Sequence, residues 1–364
     1  MALCTLCITG GLHTSTYVYG ATDTTHQSFE QGSVVEILEQ YEYVVEELSQ
    51  KQIVQELRVE ITSGVEKGKI VTVRVGGEHY SNINSYAIGD NVVISISEDA
   101  DGNTVYTISD YSRTGPLIVL GLLFVAIVII VGKVHGIRSL IGLALSLVIV
   151  FGFIIPNIIE GHNPIIVSTI AGSFLIPATF YITHGFKRSI TIAIIGSLIS
   201  LICTGLLATY SIVSTHITGM GIEDVFFLQT IGSQPIHLGN LIIAGIIISA
   251  IGILDDVTVS QVSVVEQLHK AHGNASTRTL YHEAMTVGQN HISSMVNTLV
   301  LVYAGASIPI LLIFSSSLFP TAYLINLEFV ALEIVRTLVT SIGLILAIPL
   351  TTYLAAVSAA NKGT

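Results

Sequence analysis

Seven apolar stretches follow one another through the last two thirds of this chain, and their length constrains the fold more than any motif does. The hydrocarbon core of a bilayer is about 30 Å thick, a distance that an α-helix crosses in about 20 residues. The sequence therefore predicts seven transmembrane helices. They cover about residues 117–132, 138–156, 164–182, 189–210, 240–265, 288–314 and 329–356.

Charge is distributed unevenly along the chain. Of the 364 residues, 51% are hydrophobic and only 11% are charged, and the mean hydropathy of +0.75 is far above that of soluble chains. Residues 1–116 hold 16 of the 25 acidic residues and 6 of the 14 basic ones, whereas the remainder is nearly neutral. The predicted fold is an all-α polytopic membrane bundle over residues 117–358, preceded by a polar, β-rich domain.

Basic residues give the predicted orientation, because loops that are translocated across a membrane are depleted in Lys and Arg. Seven of the eight basic residues after residue 116 fall on one side of the seven-helix arrangement. The pattern predicts a multi-pass protein of the cell membrane, with an extracytoplasmic N-terminal domain and a cytoplasmic C-terminus. The seven residues are Lys133, Arg138, Lys187, Arg188, Lys270, Arg278 and Lys362.

The N-terminal domain shows the period-two alternation of apolar and polar residues that is typical of β-strands. Four such segments, separated by glycine-containing turns, indicate a small barrel or sandwich over residues 51–112. Residues 34–50 fit either a helix or an extended strand, and both alternatives stay open. The four segments are 53–62, 69–75, 91–97 and 103–109.

Residues 1–50 form a separate N-terminal segment in this prediction. The first residues lack the basic region and the apolar core of a signal peptide, so we expect that an upstream anchor is missing from the sequence. Cys4 and Cys7 form a CxxC pair at a frayed end, for which we predict no redox or metal role.

Two adjacent carboxylates, Asp255 and Asp256, interrupt the fifth apolar stretch. Helical periodicity places Asp256 on a face of small and polar residues, with Asp255 about 100° away at the edge of that face. Asp256 is therefore predicted to face the bundle, near the middle of the membrane. The face comprises Gly245, Ser249, Gly252, Asp256, Ser260, Ser263, Gln267 and Lys270.

An ionised carboxylate at this depth costs about 2.5 kcal/mol or more unless a cavity, a partner or a bound cation compensates it. One interpretation of Asp256 is a protonatable or cation-binding site. The other is a carboxylate that Ser, Thr and amide groups satisfy and that fixes the packing of the helices. The sequence leaves both interpretations open.

The sixth apolar stretch offers partners for this carboxylate. Asn290 and Asn297 share a helical face, and Asn297 lies at a depth similar to that of Asp256 on an antiparallel neighbour. His291 is either a proton relay, because an unperturbed imidazole titrates at about pH 6.5, or a histidine at the membrane interface.

The seventh stretch contains the only basic residue that breaks the loop pattern. Glu333 and Arg336 are three residues apart and are predicted to pair on one helix. Because they lie near the outer end of that helix, they either line an outward vestibule or anchor the helix at the interface.

Several classes of protein are excluded by missing motifs. The chain has no P-loop, GxSxG or HExxH motif, and we predict that it is not an enzyme. The histidine-containing loop at residues 269–283 lacks the spacing of a zinc site, so no metal or other cofactor is expected. The expected partners are the lipid bilayer and a small ion or solute, without nucleic acid. A homo-oligomer is an open alternative.

Three segments of the membrane body resemble the YibE/F-like family of multispanning membrane proteins. They are GILDDVTVSQ (252–261), VGQNHISSMVNTLVLVYAGASIPILL (287–312) and EIVRTLVTSIGLILAIPLTTYLAA (333–356). The resemblance implies a permease with an extracytoplasmic N-terminal domain, and it implies no particular substrate. The positions that match the family motif, without an assigned role, are Asp255, Asp256, Asn290, His291, Asn297, Glu333 and Arg336.

Two classes of function remain. The first is a secondary transporter in which Asp256 binds a proton or cation and the face from Asn290 to Asn297 completes the site. The second is a membrane scaffold or sensor whose β-domain binds a partner outside the cell, while the polar faces only hold the bundle together.

Overall fold

The structure is a computed structural model that describes residues 28–45, 50–76, 85–99, 102–220, 236–273, 275–315 and 319–360. Contacts divide the chain into two compact units, with the division between Ile127 and Val128. The first unit contains the predicted β-domain, and the second contains most of the helices. The predictions for Cys4, Cys7 and Lys362 fall outside the described residues.

Five antiparallel strands form the sheet of the first unit, in the order β3-β2-β1-β4-β5. All four segments that alternate in the sequence are strands, which confirms the prediction of β-structure. The strands are β1 (Ser28–Val45), β2 (Gln50–Ile61), β3 (Ile70–Val75), β4 (Asn91–Glu98) and β5 (Thr104–Tyr111).

Strand β1 shows that the described part of residues 34–50 is extended, because Ser28–Val45 is one long strand and Gln50 begins β2. It lies in the middle of the sheet, pairing with β2 on one side and with β4 on the other. Its pairing with β2 shifts register between Val34 and Glu36 and again between Ile37 and Glu39. Such β-bulges disturb the alternation of side chains, which made the pattern ambiguous. The sheet therefore begins upstream of the predicted boundary at residue 51.

The sheet curls into a half-barrel around one apolar face. Gly32 lies at the crowded centre of that face, where a Cβ atom would come 2.5 Å from Ile94 Cδ1. A hydrogen bond from Lys69, beside β3, to the hydroxyl of Tyr106 on β5 connects the two edges of the sheet. The buried core consists of Val34, Leu57, Val59, Ile61, Val71, Val73, Val75, Tyr86, Val92, Ile94 and Ile108.

Most of the described chain after the sheet is helical. Five helical segments are long and apolar enough to cross a membrane: Thr114–Ile159 and the helices α3, α4, α5 and α9. The helices are α1 (Thr114–Ile149), a π-helical turn (Val150–Ile154), α2 (Ile155–Ile159), α3 (Pro164–His184), α4 (Arg188–Ser214), α5 (Leu238–His272), α6 (Thr277–Ala306), α7 (Ile308–Ser315), α8 (Thr321–Leu324) and α9 (Glu328–Ala360).

The segment Thr114–Ile159 contains both of the first two predicted spans, the second of which continues from α1 through the π-helical turn into α2. Lys133 breaks the helix, with φ 50° and ψ −129°. A Cβ atom on Gly136 would collide with the carbonyl oxygen of Val128, although eight residues of straight helix would separate the two positions by about 12 Å. The chain therefore turns back sharply at Lys133, between the two predicted stretches.

The sixth predicted span, 288–314, is divided between α6 and α7. Helix α6 ends at Ala306, and Ser307 separates it from α7. Polar residues occupy the middle of α6, so it is not among the five membrane-length apolar helices of the described chain. The prediction of seven spans is therefore not confirmed.

Helices α4, α5 and α9 form the centre of the second unit, and α3 and α6 pack against them. The largest fully buried side chains include Phe180, Ile246 and Ile348. Large apolar side chains also point outward, as in Phe174 of α3 and Leu206 of α4, which are 64% and 67% exposed. Since a soluble bundle rarely leaves so much apolar surface uncovered, the helices have the surface of a membrane-embedded protein.

Candidate functional site

The acidic pair lies in the middle of the 35-residue helix α5. Asp255 is half-buried, with its Oδ1 atom 3.7 Å from Nε2 of His184, the last residue of α3. This distance permits electrostatic attraction but is longer than a hydrogen bond. Oδ1 itself is buried and has no hydrogen-bond partner among the described residues. The imidazole of His184, when it is protonated, thus attracts the carboxylate of Asp255. The Oδ1 atom of Asp255 is also open to a proton, a water molecule or a cation.

The structure reverses the predicted orientations of the two carboxylates. Asp256 is exposed, whereas Asp255 is the one that contacts another helix. The small and polar face that includes Gly245 and Gly252 is also uncovered, and a Cβ atom added to either glycine would meet nothing within 4 Å. Asp256 therefore needs a compensating partner from outside the described residues if it is ionised within a membrane.

Helix α5 instead buries the face that includes Leu254, Thr258 and Gln261 against its neighbours. Periodicity separates this face from the small and polar one but does not determine which of them the other helices cover. Either face of α5 is compatible with helix contacts in a membrane. Small residues allow two helices to approach closely, and branched apolar residues fill the space between them.

The predicted polar face of α6 also points away from the bundle. Asn290 and Asn297 are exposed, and neither forms a hydrogen bond with Asp256 within the described chain. Helix α6 contacts α5 through Gly288, where a Cβ atom would lie 2.9 Å from Gln261 Nε2. His291 is half-buried, and its Nδ1 atom is buried without a partner among the described residues. The structure therefore does not join the asparagine face to Asp256.

Glu333 and Arg336 form the predicted ion pair on α9, with 2.6 Å between Arg336 Nη1 and Glu333 Oε1. Both side chains are partly buried, at 26% and 32% exposure. No ion pair of the described residues connects them with the acidic pair on α5. One turn further along α9, the hydroxyl of the buried Thr340 donates to the carbonyl oxygen of Arg336. The ion pair thus lies next to the interior of the bundle.

A layer of polar side chains inside the bundle was not predicted from the sequence. The hydroxyl groups of Ser197 on α4 and Thr258 on α5 are 2.8 Å apart. On the same side of α5, Gln261 Oε1 accepts a hydrogen bond of 3.1 Å from the hydroxyl of Thr352 on α9. All four side chains are fully buried. They link the three central helices of the bundle.

Glycines bring the helices together at this polar layer. A Cβ atom on Gly196 of α4 would collide with Thr351 Oγ1 of α9, and one on Gly343 of α9 would collide with Thr204 Oγ1 of α4. The available sequence signal was the spacing of Gly196, Ser200 and Thr204 at four-residue intervals in an otherwise apolar helix. This small-xxx-small pattern predicts a close helix contact in a membrane.

A small cavity of about 20 Å³ lies between α4, α5 and α9 at the end of the bundle where α4 begins. Arg188 and Glu266 line it together with Ser189 and Ser358. We call this end of the bundle the basic end, because α3 and α5 finish there and α4 and α6 begin there, near Lys187, Arg188, Lys270 and Arg278. The structure thus places four of the seven topology-determining residues at one end.

Fold and site together define a membrane-embedded helical protein with a separate β-domain and an acidic pair in its central helix. The match to a family model over residues 120–361 shows the family: the chain belongs to the YibE/F-like proteins. The matched region includes every one of the seven candidate site residues. No curated protein and no solved structure matches the chain.

Proposed function

We propose that the protein is a secondary transporter, a permease for a small ion or solute, in which the acidic pair binds the coupling proton or cation. The observation that carries this proposal is the contact between Asp255 on α5 and His184 on α3. An acid in the middle of α5, a helix long enough to cross a membrane, meets an imidazole at the end of α3. Ionisable groups at such positions commonly mark ion pathways and proton relays.

The contact gives the two helices a means of responding to a bound proton or cation. A protonated His184 attracts the Asp255 carboxylate, and the attraction is lost when either group becomes neutral. A cation bound at the open position of Asp255 would compete with His184 for the same charge. Occupancy of the acidic pair would therefore change the energy of moving α3 relative to α5, which couples binding to a conformational change.

In this proposal the protein crosses the cell membrane seven times. The basic end of the bundle faces the cytoplasm, following the distribution of Lys and Arg, and the β-domain lies outside. The break at Lys133 supports the division of α1 into two spans.

Flux measurements in proteoliposomes test the transporter proposal. The purified protein is reconstituted, a proton or sodium gradient is imposed, and a panel of ions and metabolites is screened for uptake. We expect gradient-dependent uptake of one class of solute, and we expect Asp255→Asn to abolish it because the amide cannot carry the coupling charge. His184→Gln should reduce uptake and change its dependence on pH.

A second acid–histidine pair provides the control. His272 and Glu283 are 3.1 Å apart where α5 ends and α6 begins, outside the middle of the bundle. Glu283→Gln removes a carboxylate from this pair and should leave uptake at the wild-type rate. Uptake that survives in both Asp255→Asn and Asp256→Asn would exclude the acidic pair as the coupling site.

A membrane scaffold or sensor is the second candidate function, favoured by apolar side chains on the surface of the β-domain. Phe29, Val65 and Ile70 are 61%, 99% and 59% exposed. The backbone N–H of Val65 donates to Glu30 Oε1, which brings the turn after β2 close to the start of β1. Exposed apolar clusters often bind partners. Partner binding that is lost in Phe29→Ser and retained in Asp255→Asn would favour this function.

A further inference from the structure

Buried polar side chains of three helices lie between α4, α5 and α9, and we call this set the seam. It begins beside the Glu333–Arg336 ion pair and ends at the cavity lined by Arg188 and Glu266. All of its members are at most 2% exposed. The seam consists of Ser197, Ser200 and Thr204 on α4, Thr258 and Gln261 on α5, and Thr340, Thr351 and Thr352 on α9.

Gln261 has the largest polar side chain in the seam, and its hydrogen-bonding groups are only partly satisfied. A glutamine amide has an oxygen that accepts hydrogen bonds and an NH₂ group that donates two, and this side chain is fully buried. Its Nε2 atom has no partner in the described chain. Its oxygen shares the single hydroxyl proton of Thr352 with the carbonyl oxygen of Ile348, at distances of 3.1 Å and 2.7 Å. Because buried amides are almost always hydrogen-bonded, Gln261 indicates a missing polar partner.

Two hydroxyl groups of the seam are also buried without a hydrogen-bond partner among the described residues. They are Ser200 Oγ and Thr351 Oγ1. Ser197, by contrast, must donate to Thr258, since the Thr258 hydroxyl uses its only proton on the carbonyl oxygen of Leu254. The lone pairs of Ser197 Oγ therefore remain available to accept a proton from another donor.

Glycines leave the seam free of large side chains where the helices cross. Gly196 faces Thr351, Gly343 faces Thr204 and Gly288 faces Gln261. At each crossing, the polar atom of one helix lies against the backbone of the next. An alanine at any of these glycines would bring its methyl group within 3 Å of the polar atom. The seam is therefore narrow and lined by hydroxyl, amide and backbone groups.

We propose that the seam is the pathway by which water and protons cross the bundle, an inference that rests on the transporter function proposed above. Water supplies both the acceptor that Gln261 Nε2 lacks and the donors or acceptors that Ser200 and Thr351 lack. The cavity of about 20 Å³ at the basic end has room for about one water molecule, which needs roughly 10–15 Å³ by this measure. Solutes larger than water are excluded from the seam.

Proton movement along the seam needs no change in its covalent structure. Each hydroxyl or water oxygen accepts a proton on a lone pair and releases its own proton to the next oxygen, so every group ends with the number of protons it had at the start. The carboxylates at the two ends, Glu333 and Glu266, are the first and last proton acceptors. The amide of Gln261 orders the water between them and does not itself exchange charge.

Reaction of engineered thiols with silver ions tests whether the seam is hydrated. The thiol of Ser200→Cys is introduced after Cys4→Ser, Cys7→Ser and Cys203→Ala have removed the native thiols. Membrane vesicles are exposed to Ag⁺, which is close to water in size, and the remaining thiols are counted with a maleimide after denaturation. We expect Ser200→Cys to be blocked at least about tenfold faster than the control thiol, because only a hydrated path admits the ion.

The native Cys203 provides that control in a chain that retains it and carries only Cys4→Ser and Cys7→Ser. It lies three residues beyond Ser200 on α4, at nearly the same depth, but on the exposed side of the helix. Equal or slower blocking of Ser200→Cys would overturn the proposal. Should Ser200→Cys fail to fold, Thr204→Cys occupies the same face one turn away and gives the same comparison.

Substitutions of two glutamines on α5 test the seam separately from the transporter proposal. Gln261→Leu removes the amide from the seam, whereas Gln267→Leu removes an exposed amide from the same helix. Proton uptake into vesicles that hold a pH-sensitive dye should be lost in the first variant and unchanged in the second. Uptake that Asp255→Asn abolishes and Gln261→Leu leaves intact would refute the seam while retaining the transporter. Absence of proton uptake in a wild type that still shows sodium-dependent uptake would likewise refute the seam while retaining the transporter, whereas absence of any gradient-dependent uptake would refute both.

Discussion

The buried side-chain amide of Gln55 forms hydrogen bonds with the backbone of the segment that precedes β4. Its Oε1 atom accepts a hydrogen bond of 2.7 Å from the backbone N–H of Tyr86, and its Nε2 atom donates one of 2.9 Å to the carbonyl oxygen of the same residue. Gln55 is 1% exposed and Tyr86 is 2% exposed, so water has little access to these bonds. The amide thus satisfies two backbone groups of the segment that precedes β4.

Replacing Gln55 with alanine should loosen this segment. Gln55→Ala leaves two buried backbone groups without these partners and costs about 2 kcal/mol, which is roughly a 30-fold change in the opening equilibrium. Hydrogen exchange of the Tyr86 amide in the full chain should accelerate by that factor. Gln40→Ala, which removes only the contact with Gln55 Nε2, is the control. Similar acceleration in both variants would show that the amide–backbone pair is not the stabilising feature.

Glu66, Lys69 and Tyr106 form a hydrogen-bonded cluster, and we expect it to make the stability of the β-domain depend on pH. The hydrogen bond from the Tyr106 hydroxyl, followed by the one from Lys69, lowers the pKa of the Glu66 carboxyl below its usual 4.5. Hydrogen bonds to Tyr106 and then to Glu66 raise the pKa of Lys69 above its usual 10.5. A lowered carboxyl pKa stabilises the fold above pH 4.5 and is lost in acid, whereas a raised amine pKa stabilises it below pH 10.5 and is lost in base.

Tyr106→Phe should therefore weaken the pH dependence of the stability of the β-domain, both in acid and in base. The phenyl ring keeps the packing but cannot donate to Glu66 or accept from Lys69. Thermal unfolding of the wild type and the variant, followed from about pH 3 to pH 11, should differ most in the neutral range and converge at the extremes. A difference that stays constant over the whole range would mean that the hydroxyl acts through packing alone.

The residues of the candidate site were predictable from the sequence to different degrees. Asp255 and Asp256 stand out because charges are rare in apolar helices, but their orientation depends on neighbouring helices that the sequence does not place. Ser200 gave a weaker signal, since hydroxyl groups in membrane helices commonly bond to their own backbone. Its significance comes from burial without a partner, which only the structure shows.

At the scale of elements, Glu328 connects the end of α4 with the beginning of α9. Its carboxylate accepts hydrogen bonds from the backbone N–H groups of Thr218 and Gly219 and from the Thr218 hydroxyl, at 2.5–3.1 Å. Glu328 is also the first residue of α9, where a negative charge interacts favourably with the helix dipole. One side chain therefore fixes the loop after α4 and places a negative charge at the start of a second helix.

Removal of this carboxylate should release the loop. Hydrogen bonds to a charged group contribute about 1.5–3 kcal/mol each, so Glu328→Ala should raise hydrogen exchange at Thr218 and Gly219 by at least about tenfold. Asn326→Ala is a suitable control, because among the described residues the Asn326 side chain bonds to the carbonyl oxygen of Ala322, four residues earlier. Unchanged exchange in Glu328→Ala would show that other contacts hold the loop.

Predictability also varied among the elements. Strand β3 alternates without interruption over Ile70–Val75 and buries every second residue, so periodicity alone identifies it. The two register shifts hide the same signal in β1. Helix α6 was predicted as part of one long span, but its apolar end continues beyond Ser307 into α7. A hydropathy pattern records polarity and does not locate such a break.

At the scale of the whole molecule, the sequence separates a polar β-domain from an apolar helical part, and the structure has the same two parts. The number of membrane crossings is the feature that composition leaves open. It depends chiefly on the segment Thr114–Ile159, which is 46 residues long. A straight helix of that length would extend roughly 70 Å, more than twice the thickness of a hydrocarbon core of about 30 Å.

We therefore expect this segment to cross the membrane twice, turning at Lys133. Single cysteines at Ser112, His135 and His162, introduced without the native cysteines, are labelled in intact vesicles with a maleimide that cannot cross the bilayer. Two crossings place Ser112→Cys and His162→Cys on one side and His135→Cys on the other, with Arg188→Cys on the same side as His135→Cys. A single crossing would place Ser112→Cys and His162→Cys on opposite sides. That result would also reverse the β-domain relative to the basic end, which the distribution of Lys and Arg opposes.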